Sequence, residues 1–153
     1  MIASVGVPGG IALGAQRVFI NASVNLSPET LSNTARHIFL VISGIQFDRP
    51  PEAHYEIYFN KPPSIQPDLR SIYFVGNLTF FVTRNTSYSQ RFDISNLFRV
   101  QLEVGLAGVD VARITLVLQG VPDAPGAAVT VAEGSNARIS GAVVTDVLPS
   151  APP

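Results

Sequence analysis

Two aromatic-rich runs held apart by three prolines set the strongest limit on what this chain can fold into. His54-Tyr55-Glu56-Ile57-Tyr58-Phe59-Asn60 alternates with period 2. Tyr55, Ile57 and Phe59 share one face; His54, Glu56, Tyr58 and Asn60 share the other, the pattern of a half-buried strand. The run from Ser71 to Phe81 places Phe74, Gly76, Leu78 and Phe80 in one row and Tyr73, Val75, Asn77, Thr79 and Phe81 in the other. Between the runs, Pro62, Pro63 and Pro67 remove three backbone donors, so residues 61–70 cannot continue a central strand. We expect two strands joined by a long, stiff loop, with Tyr55, Ile57, Phe59, Phe74, Leu78 and Phe80 turned inward.

The rest of the chain follows the same logic. Twelve glycines and twelve prolines are spread over 153 residues, which suits many short strands separated by turns. Arg17–Val24 alternates, with Val18, Ile20, Ala22 and Val24 on one face. Ser27-Pro28-Glu29-Thr30 has a capping serine and a proline at the first helical position, enough for about one helical turn. Arg36–Ser43 is apolar on both faces, as a covered central strand would be. Ser89–Ile94 is expected to pair back as a hairpin on the strand before it. Asp93–Leu102 is the best helix candidate, capped by Asp93 or Ser95 and ended by Gly105. Ala112–Gln119, Ala128–Ala132 and Ala137–Val144 complete the strands. About eight strands and one short helix predict an all-β chain, an antiparallel β-sandwich, with a barrel as the other solution. Residues 1–15, with Pro8-Gly9-Gly10 and no basic region, read as a flexible N-terminal arm rather than a signal peptide. Residues 16–146 form a single domain and 147–153 a C-terminal tail.

Several kinds of chemistry are excluded or left without support. The absence of Cys rules out disulfides, thiolate metal sites and Cys nucleophiles. A formal net charge of -1 with scattered basic residues offers no stripe for nucleic acid. No apolar run has the length of a membrane span, and nothing specifies a compartment. Only His37 and His54 are present. His37 reads as a core or near-core residue beside Phe39, and His54 as the exposed start of a strand. A zinc or copper site needs more donors than these. Asp48, Glu52 and Asp68 fall in loops without a calcium-binding pattern. The four Asn-x-Ser/Thr triplets at Asn21, Asn25, Asn77 and Asn85 read as ordinary strand and turn composition. No catalytic, metal or cofactor residues are assigned. The suggestive side chains are Tyr58, Tyr73 and Phe81, on the face opposite the core row. They are candidates for contact with a partner, unless a second layer covers that face.

His54-Tyr55-Glu56-Ile57-Tyr58-Phe59-Asn60 resembles the strand that marks the C-terminal domain of plant polyphenol oxidases, Lys-Phe-Asp-Val-Tyr followed by an apolar residue and Asn. The departures lie at positions 54, 55 and 56. Tyr73-Phe74-Val75-Gly76-Asn77-Leu78-Thr79-Phe80-Phe81 resembles a later strand of the same domain. Phe92-Asp93-Ile94-Ser95-Asn96-Leu97 resembles the segment that opens a short helix in bacterial tyrosinase-like proteins. The likeness runs from about Val18 to Val144. It implies a non-catalytic, lid-type accessory domain that acts by contact with a type-3 copper oxidase domain, whose six histidines this chain lacks. The other readings are a structural sandwich that assembles with copies of itself and a carbohydrate-binding module using Tyr58 and Tyr73.

Overall fold

A computed structural model describes residues 11–33, 35–49, 51–62, 64–68, 70–80, 88–108, 110–120, 129–132 and 134–146. These residues form nine strands and two helices: β1 (Ile11–Ala12), β2 (Arg17–Asn25), α1 (Pro28–Ser32), β3 (Phe39–Ile45), β4 (Ala53–Phe59), β5 (Phe74–Leu78), β6 (Tyr88–Asp93), α2 (Ser95–Glu103), β7 (Val111–Gly120), β8 (Arg138–Ile139) and β9 (Gly141–Thr145). The chain is all-β with two short helices. Residues 1–10 of the expected arm and the expected tail, 147–153, lie outside the described residues, while Ile11–Ala12 pairs with β8.

Seven strands make one sheet in the order β5-β4-β7-β2-β9-β3-β6, antiparallel except for β2 against β9. The sheet curls until its two edge strands meet. Side chains, not a backbone ladder, join them: the Thr79 amide donates to Gln90 Oε1 at 3.0 Å, and Tyr88 Oη donates to the Thr79 carbonyl at 3.0 Å. Phe92 from β6 lies against Gly76 of β5, leaving a Cβ there only 3.2 Å from the ring. The two layers expected of a sandwich are thus two halves of a nearly closed barrel-like sheet. Ser89–Ile94 does not form a ladder with β5; β6 pairs with β3 instead. Closure by side chains leaves the backbone donors of β6 to the strand on its other side.

The barrel interior holds the residues that alternate inward. Tyr55, Ile57 and Phe59 of β4, Ile114 and Leu116 of β7, Leu40 and Ile42 of β3 and Val144 of β9 are all fully buried. Burial of side chains this size stabilises by about 1.5–3 kcal/mol each. Within β3, Gly44 takes a left-handed conformation (φ 66°) where the register with β6 shifts. A side chain there would collide with Ser140, so this bulge requires glycine. Residues 129–132 are not in a strand, contrary to the reading of Ala128–Ala132; residue 128 lies outside the described residues. The Ala132 amide is instead taken by the Pro51 carbonyl at 2.8 Å, in a loop crossing.

The two helices sit at one end of the barrel, where β4 ends and β3 and β7 begin. Ile94, just before α2, and Phe98 of α2 are buried there, with the Phe98 ring 6.0 Å from that of Phe59. The N-cap of α2 is Ile94, without a side-chain capping bond, rather than the expected Asp93 or Ser95; the Ser95 amide donates to Asp93 Oδ1, one residue further back. Helix α1 is held at both termini. Asp146 Oδ2 accepts from the Ser27 amide (2.9 Å), Ser27 Oγ (2.8 Å) and Thr30 Oγ1 (2.5 Å). At the other end, Arg99 of α2 donates to the carbonyls of Asn33 (2.9 Å) and Arg36 (2.7 Å). A carboxylate at the start and a guanidinium at the end match the helix dipole.

The hydrogen bonds from Thr30 and Ser27 hold the Asp146 carboxyl down at about 2, against an ordinary 3.8. A depressed carboxyl stabilises the fold above its unfolded pKa and loses that contribution as pH falls through the folded value. Discounted for partial exposure, the loss is about 1–2 kcal/mol between about pH 4 and pH 2. Urea midpoints measured across that range are expected to fall more steeply for the wild type than for Asp146→Asn.

Candidate interaction surface

The three aromatic side chains expected to face a partner do not share a surface. Phe81 lies outside the described residues. Tyr73 is half-buried; its carbonyl accepts from the Phe59 amide at 2.7 Å, and its amide donates to Ser71 Oγ at 3.3 Å. Tyr58 is fully buried, which corrects the expectation that it is exposed. It lies on the outer face of β4, as its position in the alternation requires, but that face is covered.

A β-bulge explains part of the cover. Opposite β4, the register runs Tyr55–Leu78 and Ile57–Gly76, then shifts so that Phe74 stands across from Tyr58. The extra residue, Val75, packs against the core, and Phe74 moves outward, contrary to its expected inward position. The Phe74 and Tyr58 rings are 5.5 Å apart. Tyr58 Oη donates to Glu56 Oε1 at 2.9 Å. Burial raises its hydroxyl pKa, and the Glu56 and Asp68 carboxylates push it further. Asp68 belongs to the Pro-rich loop, so that loop lies near the phenol.

Lys61 ties the same loop down. It is 1% exposed, and its ammonium donates to the carbonyls of Ile65 (2.6 Å) and Pro62 (3.2 Å). Burial, and then the nearby Arg17 charge, lower its pKa. Among the described residues Lys61 has no carboxylate partner. Beneath this layer, Thr115 of β7 stands directly across from Tyr58. It is fully buried, and its hydroxyl has no hydrogen-bond partner among the described residues. Thr115→Val keeps the shape and removes the orphaned hydroxyl. Chemical denaturation is expected to show a gain of about 1 kcal/mol.

The two histidines lie apart, one beside Asp93 and one at the start of β4. His37 is exposed, not in or near the core: Nδ1 pairs with Asp93 Oδ2 at 2.8 Å, and the ring stacks on Phe39. It precedes β3 and lies outside its ladder, which is why strand alternation misplaced it. His54 lies at the start of β4, as expected, partly exposed. It lines an open groove of about 640 Å³ with Glu52, Ala53, Glu56, Gln119 and Gly120. The Glu56 carboxylate in that groove already accepts from Tyr58 and from Gln119 Nε2. Among the described residues, no group of three His, Cys, Asp or Glu could hold a metal ion.

The exposed apolar surface lies elsewhere. Seven large apolar side chains are exposed among the described residues: Phe19, Ile65, Ile72, Val100, Val104, Leu106 and Val111. Phe19 is on the outer face of β2, across from Thr115, and Ile65 is in the Pro-rich loop. The other five belong to the helical end. Val100 lies on α2 and Val104 is its C-cap, Ile72 precedes β5 and Val111 opens β7. Sequence reading did not single out this set.

Gln101, fully buried, organises that end. Its Nε2 donates to the carbonyls of Phe59 (2.8 Å) and Ile72 (3.0 Å), and its Oε1 accepts from Asn60 Nδ2 (3.2 Å). Its own carbonyl accepts from the Leu106 amide at 2.7 Å as the chain leaves the helix through Gly105 (φ 81°). One side chain therefore ties α2 to the end of β4 and to the approach to β5.

No family model and no curated protein matches the sequence. Solved structures do match. Latent aurone synthase, a polyphenol oxidase from natural source, aligns with a TM-score of 0.56 at 14% identity, over 88% of this chain and 25% of that chain. Its recombinantly expressed latent form gives 0.56 at 13% identity, over 94% and 27%. Latent apple tyrosinase gives 0.55 at 16% identity, over 94% and 30%. The chain shares its fold with part of these enzymes. It spans about 25–30% of their length.

Proposed function

We propose that this chain is a non-catalytic accessory domain of the lid type, acting by contact with a type-3 copper oxidase domain. The observation that carries the reading is the lopsided overlap with latent polyphenol oxidases: nearly all of this chain matches, but only 25–30% of theirs. One domain's worth of those chains is represented here. Two histidines in 153 residues cannot supply a six-histidine dicopper site, which supports placing the chemistry in a partner. The word latent in the names of the matched enzymes suits a domain that restrains an active site. Burial of Tyr58 removes one of the two stacking platforms on which a carbohydrate-binding reading relied. Purification from the native source is expected to recover the chain with a six-histidine copper protein. The purified chain alone is expected neither to hold copper nor to oxidise a diphenol; copper-dependent diphenol oxidation by it would sink the proposal.

A further inference from the structure

We infer that Asn21, Asn25 and Asn77 are acceptor sites for an N-linked oligosaccharide. Each opens an Asn-x-Ser/Thr triplet without proline at the middle position, the pattern that oligosaccharide transfer requires. In the transfer, the side-chain nitrogen of asparagine bonds to the anomeric carbon of a lipid-linked oligosaccharide. The bond from that carbon to the diphosphate oxygen breaks, the lipid diphosphate leaves, and one amide proton passes to the transferase.

Composition alone makes these triplets ordinary, but their places in the fold set them apart. All three asparagines lie in strands, Asn21 and Asn25 in β2 and Asn77 in β5, where asparagine is disfavoured. All three are exposed, and none makes a side-chain hydrogen bond among the described residues. Asparagines outside the triplets are put to structural use. Asn33 Oδ1 accepts from the Ala35 amide at 2.9 Å, Asn60 bonds both Gln101 and the Arg113 amide, and Asn136 donates to Asp48 at 2.7 Å. Asn96 is the exception among them. The triplet asparagines thus occupy unfavourable positions without a structural task, and a modification supplies one.

The fold also leaves room for the added group. The middle residues Ala22 and Leu78 are fully buried, so Asn21 and Asn77 project from the opposite face of their strands, on the outer wall. The Ser27 and Thr79 hydroxyls are hydrogen-bonded in the folded chain, to Asp146 and Gln90, which places transfer before folding. A bulky group added at that stage is compatible only with positions that end up exposed. Asn21 has a further feature. Phe19 stands two residues back on the same face of β2, roughly 7 Å along the strand, and is 53% exposed. The apolar face of a first sugar on Asn21 would cover that ring.

Intact mass and peptide mapping of the chain from its native source, before and after an amidase that releases glycans in heavy-oxygen water, test this. The native mass is expected to exceed that of the sequence and to fall on treatment, with the three asparagines converted to labelled aspartates. Unmodified asparagine at all three positions, or a glycan confined to Asn85, would overturn the inference, and any one of the three found bare is overturned as a site. Amidase treatment is also expected to lower the thermal midpoint by about 2–4 °C more in the wild type than in Phe19→Ala. Equal shifts would overturn the contact with Phe19 and leave the acceptor sites standing. None of these outcomes depends on the accessory-domain proposal.

Discussion

Tyr58→Ala is expected to destabilise the fold by about 3–5 kcal/mol, the range for removing a large buried aromatic side chain. The reason is the layer over the outer face of β4. Tyr58 is fully buried, packs its ring against Phe74 and hydrogen-bonds Glu56. Truncation would leave a cavity between Phe74 and Thr115 and remove one of the two described partners of the Glu56 carboxylate. For a domain of this size, a loss of about 3 kcal/mol corresponds to a fall in Tm of roughly 6–12 °C. Tyr58→Phe keeps the ring and is expected to cost only about 1–2 kcal/mol, through the lost hydroxyl. Thermal and urea unfolding of both variants, followed by circular dichroism, separates packing from hydrogen bonding. If Tyr58 were an exposed contact residue, both changes would leave stability within about 0.5 kcal/mol of the wild type, and the covered outer face would be wrong.

Gln101→Ala is the second large effect, expected at about 2–4 kcal/mol. The substitution removes both donors to the Phe59 and Ile72 carbonyls and the acceptor for Asn60. It also opens space at a fully buried position between α2 and β4. Gln101→Met fills most of that space while still removing the polar contacts. It should therefore recover the packing part of the loss and leave the hydrogen-bond part. Hydrogen exchange gives a sharper readout than global stability. Amides of α2 and the Leu106 amide should lose protection in both variants, while the Leu118 and Gln46 amides, bonded at the opposite end of the sheet, should change only with global stability. Equal loss of protection throughout the sheet in Gln101→Met would show that Gln101 is an ordinary core residue and not a local staple.

Much of the fold could be read from the chain because alternation is a local signal. The row of Tyr55, Ile57 and Phe59 is inward and fully buried, as its period requires. Ser27 caps α1 with Pro28 in its first turn. Gly105 takes the left-handed conformation that ends α2. Other features were hidden because they depend on partners distant in sequence. The bulge at Val75, which turns Phe74 outward, exists only in the pairing of β5 with β4. His37 looked like a core position because apolar residues follow it, but the ladder starts two residues later and its ring turns out to Asp93. The pairing of β6 with β3 could not be foreseen from the adjacency of β5 and β6 in sequence.

The candidate surface divides in the same way. Alternation correctly placed Tyr58 on the outer face of its strand, but burial on that face depends on the loop held by Lys61 and on Phe74 across the bulge. The exposed apolar side chains near the helical end come mostly from residues 100–111, joined by Ile72. By itself the sequence determined an all-β chain with the faces of β4, the cap of α1 and the main core row, because these follow from spacing and local backbone preference. Only the tertiary structure decided which edges meet, which outer face is covered and where exposed apolar side chains gather, because each depends on contacts between segments that the chain order does not bring together.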